Sequence, residues 1–133
     1  MKVIKVKDLI GTERDVKCPR GGFSSLRLLL ESDGMGFGLT QTTIPKGDPQ
    51  RWHYKNHLEA CFCIEGTGEL TNEKTGEAFM ITPGACYVLD NHDPHIFESL
   101  TNKVVLVCVF NPPLKGNEVH QPDGSYSADG SNQ

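Results

Sequence analysis

A chain of 133 residues, 37% of them hydrophobic, is long enough for one compact domain with its own core and too short for two ordinary ones. Its formal net charge of -4 comes without any run of basic residues, so nothing draws it to nucleic acid or to an anionic membrane surface, and no apolar stretch approaches the roughly 20 residues of a membrane span. The N-terminal residues lack the apolar region and cleavage site of a signal peptide, and Cys18, Cys61, Cys63, Cys86 and Cys108 are an odd, irregularly spaced set that reads as reduced thiols; a cytoplasmic location is expected.

Residues 1–6 alternate weakly and predict an edge strand, and residues 7–11 a short turn or helical start. The run Cys-Pro-Arg-Gly-Gly at 18–22 is turn material, because proline ends regular structure and glycine supplies positive φ. Residues 25–30 (SLRLLL) predict a strand that carries Arg27 inside an apolar run, residues 31–34 a turn, and residues 37–44, rich in β-branched side chains, a second strand. From His57 to Ile64 the pattern alternates strictly: His57, Glu59, Cys61 and Cys63 share one face, and Leu58, Ala60, Phe62 and Ile64 share the other. A carboxylate on the inward face of a strand is costly unless it meets a metal, a proton donor or a substrate, so Glu59 marks a site.

Residues 68–70 and 77–81 flank a polar Gly-containing turn and predict a hairpin. Residues 86–89, 96–99 and 104–110 predict further strands, separated by Pro83-Gly84 and by a charged corner at 90–94. Short strands with turn signals about every ten residues, and no amphipathic helix, give an all-β sandwich or barrel. Residues 1–122 are expected to form the single domain and residues 123–133 a flexible polar tail, dispensable or a lid.

Two spaced patterns carry chemistry. Gly47, His53, Lys55, Glu59 and Gly66 form the first, and Gly76, Pro83-Gly84 and His95 the second. Together they resemble the two motifs of cupins, double-sheet β-barrels of jelly-roll type that hold a metal inside. Lys55 stands where the second histidine of the first motif is usual, and a protonated amine is a poor ligand; this argues against a site of three histidines and one glutamate.

The runs Tyr54-Lys-Asn-His57-Leu-Glu59-Ala, Cys63-Ile-Glu-Gly66-Thr-Gly, Tyr87-Val-Leu-Asp90, Val107-Cys108-Val-Phe110-Asn-Pro-Pro-Leu and Gly116-Asn-Glu118-Val-His120 resemble the ectoine synthase family of cupins. So do Leu26-Arg27-Leu-Leu-Leu and Asp33-Gly-Met-Gly-Phe37, and the likeness runs from Val3 to about Tyr126. It implies a carbon–oxygen lyase of hydro-lyase type that closes N-γ-acetyl-L-2,4-diaminobutyrate into the compatible solute ectoine, an osmotic-stress product, and that works as a homodimer. The implied metal is iron(II), held by Glu59, Tyr87 and His95. Loss of water needs a proton delivered to the leaving oxygen, and Tyr54, His57 and Tyr87 are the candidates, among which the sequence does not choose. Arg27 would hold the substrate carboxylate and Glu118 its α-ammonium, with Phe23, Thr40, Thr42, Tyr54, His57, Leu89, Phe110 and His120 completing the pocket.

Three positions depart from the family: Phe23 stands where tryptophan is common, Thr40 where an amide or imidazole is usual, and Pro94 where an arginine is frequent. The implied ligand set survives them; the substrate-shaping set is altered. Activity on a related N-acetylated diamino acid, ring-opening of ectoine, or ectoine binding without catalysis are the alternatives. Plainer readings also stand beside the site: Glu59 paired with Arg51 or Lys55, Tyr87 as a core residue, Cys61 and Cys63 as packing.

Overall fold

The computed structural model describes residues 1–18, 22–116 and 118–127. The turn expected at 18–22 falls mostly outside them. A short helix α1 (Val6–Leu9) precedes strands β1 (Asp15–Lys17), β2 (Ser24–Leu29), β3 (Gly38–Pro45), β4 (Gln50–Trp52) and β5 (Leu58–Glu65). Then come β6 (Gly68–Asn72), β7 (Ala78–Ile81), β8 (Cys86–Leu89), β9 (His95–Ser99) and β10 (Lys103–Asn111). They make two antiparallel sheets, one ordered β1-β2-β3-β10-β5-β8 and one ordered β4-β9-β6-β7. This is the all-β, double-sheet architecture expected from the sequence.

One local expectation changes, and two features have no counterpart in the sequence reading. Residues 1–5 form no strand, because Met1 and Val3 stay exposed and alternation without a buried face fixes no register; the helical start expected at 7–11 is present as one turn, Val6–Leu9. The three-residue β1, too short and polar to show a pattern, pairs with β2. Finally, the stretch from Gly47 to Gly66 is shared between both sheets: β4 pairs with β9 and β5 with β10 and β8, so residues 53–57 cross from one layer to the other.

One end of the space between the sheets is apolar. Ile44, Phe97 and Val104 are almost wholly buried there, each contributing roughly 1.5–3 kcal/mol. Gly66 turns β5 into β6 with a φ of +81°, and a Cβ there would run into the Lys103 carbonyl, so this turn needs glycine. At the other end the interior is polar. The sheet register explains it: Arg27 lies opposite Thr40, Thr40 opposite Cys108, Cys108 opposite Cys61, and Cys61 opposite Tyr87. Five adjacent strands thus place one continuous row of functional side chains on the inner face.

The strict alternation in β5 resolves in the same sense. Glu59, Cys61 and Cys63 point inward and are buried, whereas Phe62 is 46% exposed and Leu58 and Ile64 are likewise open. The polar face is the inner one.

Candidate active site

Glu59 stands one step along β5 from the row, opposite Phe110 on β10 and Leu89 on β8. It is only 6% exposed, and among the described residues no cationic side chain pairs with it; Arg51 bonds Glu73 and Lys55 bonds Asp123 instead. Its neighbours are the Cys61 and Cys108 thiols, and burial holds its carboxyl well above the usual carboxylate range. Tyr87, one row over on β8, is also buried, and its phenol is pushed up by desolvation.

His95 enters from the second sheet, opposite Trp52. Its Nδ1 meets the Asp93 carbonyl at 2.8 Å, which fixes the ring with Nδ1 protonated and leaves Nε2 as a lone-pair donor. That Nε2 is buried without a hydrogen-bond partner, and burial lowers the imidazole pKa. A neutral histidine with a free buried lone pair, a buried carboxyl without a counter-charge and a buried phenol are donors suited to a divalent metal. These residues fit the metal that the cupin motifs imply.

Glu59 and Tyr87 line a cavity of about 10 Å³, room for one water-sized sphere. Phe23, Thr42, Tyr54, Phe110 and His120 border it too, as do Trp52 and Tyr126. Tyr87 also borders, together with His95, a groove between the edge strands β7 and β8. Tyr54 meets His120 Nε2 at 2.6 Å, and His120 is stacked between Trp52 (5.1 Å between ring centres) and Tyr126 (4.5 Å). Burial, with the Arg27 charge nearby, pushes the His120 pKa down to about 3, so this ring works as neutral imidazole. His57 packs edge-on against Phe110 and Tyr126, with its Nδ1 unpartnered, and burial lowers its pKa.

Arg27 is completely buried and is engaged by the closing segment: it donates to the backbone carbonyls of Gly116 and Glu118 and lies 3.5 Å from the Glu118 carboxylate. Glu118 in turn accepts the Lys115 and Gly116 amides, at 2.7 Å each. The structure therefore brings Arg27 and Glu118 together as a pair. Thr40 sits between Arg27 and Cys108 in the row, Leu89 is buried beside Glu59, and Phe23 packs edge-on against both Trp52 and His120. Pro94 is buried, and its carbonyl accepts the Glu73 amide.

Sequence reasoning missed Trp52 and Tyr126. A lone tryptophan beside His53, and one tyrosine within an otherwise polar tail, were the available signals. The boundary expected after residue 122 falls inside a packed segment: Gly124 accepts the His53 amide, Asn56 bonds the Tyr126 carbonyl, and Ser125, Tyr126 and Ser127 are buried. Residues 128–133 lie outside the described residues.

Two antiparallel sheets around a polar, donor-lined interior define a cupin. The cupin domain of an XRE family transcriptional regulator from Enterobacter cloacae superposes with a TM-score of 0.57 at 16% identity, over 69% of this chain and 98% of that one, a likeness of fold alone. Closer likeness is specific. The ectoine synthase family model matches residues 1–130. The L-ectoine synthase of Alkalilimnicola ehrlichii is 49% identical over 126 residues, 95% of this chain and 94% of the relative. The crystal structure of ectoine synthase from P. lautus matches with a TM-score of 0.84 at 44% identity, covering 93% of this chain and 87% of that chain. The chain belongs to the ectoine synthase family, and it is an enzyme, a carbon–oxygen lyase.

Proposed function

We propose that this barrel converts N-γ-acetyl-L-2,4-diaminobutyrate into L-ectoine. The carrying observation is a buried carboxyl, without counter-charge among the described residues, in a cavity walled by Trp52 and Tyr54, the two rings that also flank a buried His95 imidazole with an unpartnered Nε2. Glu59, Tyr87 and His95 would hold iron(II), which when bound supplies a Lewis acid for the acetamide carbonyl.

The protein's own residues account for the rest. In the reaction the substrate's α-amine forms a bond to the acetamide carbon, the carbon–oxygen bond breaks, and the oxygen leaves as water after gaining protons. Both partners belong to one molecule, so the site's main contribution is to hold the ring-closing shape and keep bulk water out. The wall of Trp52, Phe110, His120 and Tyr126 supplies that dry enclosure. Arg27 and Glu118, already an ion pair, match the two charges of an α-amino acid: the guanidinium holds the carboxylate and Glu118 receives the α-ammonium. Tyr54, whose hydroxyl is hydrogen-bonded to His120, can deliver a proton to the departing oxygen and recover it through the ring; His57 and Tyr87 are the other donors in reach of the enclosure.

The test is an anaerobic assay of iron-loaded and metal-stripped protein with N-γ-acetyl-L-2,4-diaminobutyrate, following ectoine by chromatography. Iron-dependent ectoine is the expected result. A folded, iron-bound protein that makes none would refute catalysis on this substrate and leave a related substrate or binding alone.

We read the chain as a homodimer, and an exposed apolar face supports that reading. The outer face of β8, β5 and β10 carries Val88, Ala60 and Val109 on one rung, with Phe62 and Val107 on the next. Val88 is 58% exposed, and Leu58 and Ile64 extend the patch. An apolar face of this kind is what a self-complementary interface covers. Sedimentation equilibrium should give twice the chain mass, falling to one in Phe62→Asp/Val88→Lys; a wild-type monomer would rule the dimer out. The five free thiols are in keeping with a cytoplasmic setting.

A further inference from the structure

We infer that Glu59, Cys61 and Cys108 form a second ion-binding triangle in the barrel, selective for a thiophilic divalent cation of the zinc kind, that competes with Tyr87 and His95 for the Glu59 carboxylate. The Cys61 and Cys108 thiols face each other across β5 and β10, in register and on the inner face. One carboxylate oxygen of Glu59 and the two sulfurs all lie within 4.8 Å of one another, and all three residues are buried. A tetrahedral zinc site, with bonds of roughly 2.3 Å to sulfur and 2.0–2.2 Å to oxygen, needs its donors only about 1 Å closer, a shift that side-chain rotation supplies.

The cavity bordered by these three residues has room for an ion. Cys63, the next inward thiol of β5, is excluded by its partners: its sulfur is turned to the Glu65 and Gly66 carbonyls. Cys61 and Cys108 have no such backbone partner among the described residues; the Cys108 sulfur meets the Thr42 hydroxyl at 3.8 Å and otherwise faces the Cys61 thiol, Thr40 and the Glu59 carboxyl. Two sulfurs and one oxygen favour zinc over iron(II), because softer ligands select softer ions. Binding expels the two thiol protons to solvent, so the dication meets two thiolates. It also draws the Glu59 carboxylate toward the β10 side, away from Tyr87 on β8 and His95 on the second sheet.

The triangle rests on geometry within one sheet and stands whether or not Tyr87 and His95 hold iron. Its probe is cobalt(II), added to reduced, chelator-stripped full-length protein. Sulfur-to-cobalt charge-transfer absorption, saturating at one equivalent and discharged by zinc, is the expected result. Cys61→Val/Cys108→Val should lose that absorption, and Tyr87→Phe should retain it. Cobalt bound by the wild-type protein without the charge-transfer band would overturn the inference with no variant needed. So would loss of the band in a folded Tyr87→Phe, which would make the two ligand sets one.

Discussion

Glu59→Gln should lower turnover by about 10³-fold or more and abolish stoichiometric iron, while leaving the barrel folded. The side chain keeps its shape, so packing against Leu89 and Phe110 is preserved. What disappears is the only carboxylate on the inner face of β5. The apo-protein supplies an independent sign. Burial raises the folded-state pKa of Glu59, so its native form holds a proton that the unfolded chain gives up above a pKa of about 4.3. Wild-type stability is therefore fully present below that value and is lost as pH rises toward the folded-state pKa, by at most about 1.4 kcal/mol per pH unit. The glutamine variant escapes this loss. As pH rises above about 5, metal-free Glu59→Gln should gain in melting temperature relative to wild type. Full activity in the variant would remove the metal site from the mechanism, and a gap that does not widen with pH would remove the buried-carboxyl argument.

Arg27→Met should be nearly as damaging, by another route. Its guanidinium ties the closing segment to β2 through two carbonyls and Glu118, and the change leaves a buried carboxylate facing an apolar stem. Removing one partner of a buried pair costs about 3–5 kcal/mol. The loss should be concentrated in residues 115–127, seen as faster proteolysis or hydrogen exchange there, together with a rise in KM of at least ~100-fold from the missing carboxylate contact. An unchanged KM with a loosened segment would make Arg27 a strut alone. Restoring the charge as Arg27→Lys should recover little of either effect, because one ammonium cannot span the carbonyls and the carboxylate that the guanidinium reaches.

The strands and the inner face of β5 were legible because hydrophobic alternation and turn residues act locally, and because an inward Glu59 is too costly to be accidental. Family motifs made Tyr87 and His95 visible; nothing in the periodicity distinguishes Tyr87 from a core residue. The split of residues 47–66 between the sheets was not legible, since Gln50–Trp52 is too short to announce its partner. Nor was the Arg27–Glu118 pair, which depends on where the chain returns after β10. Tyr126 was hidden for a similar reason: the polar residues around it read as solvent-loving, while Gly124, at a φ of +85°, presses its backbone onto β4 and turns the tyrosine inward.

The inner row from Arg27 through Thr40, Cys108 and Cys61 to Tyr87 also bears on how the protein becomes active. Each member comes from a different strand, and β10, near the end of the chain, lies between β3 and β5. No hairpin or early fragment can hold the row, because its centre is missing until the last strand inserts between two already separated neighbours. Closing such long-range pairs is the slow part of folding a sheet of this topology. A nascent chain therefore carries its motifs without carrying a site, and ligand affinity arises together with the final sheet closure.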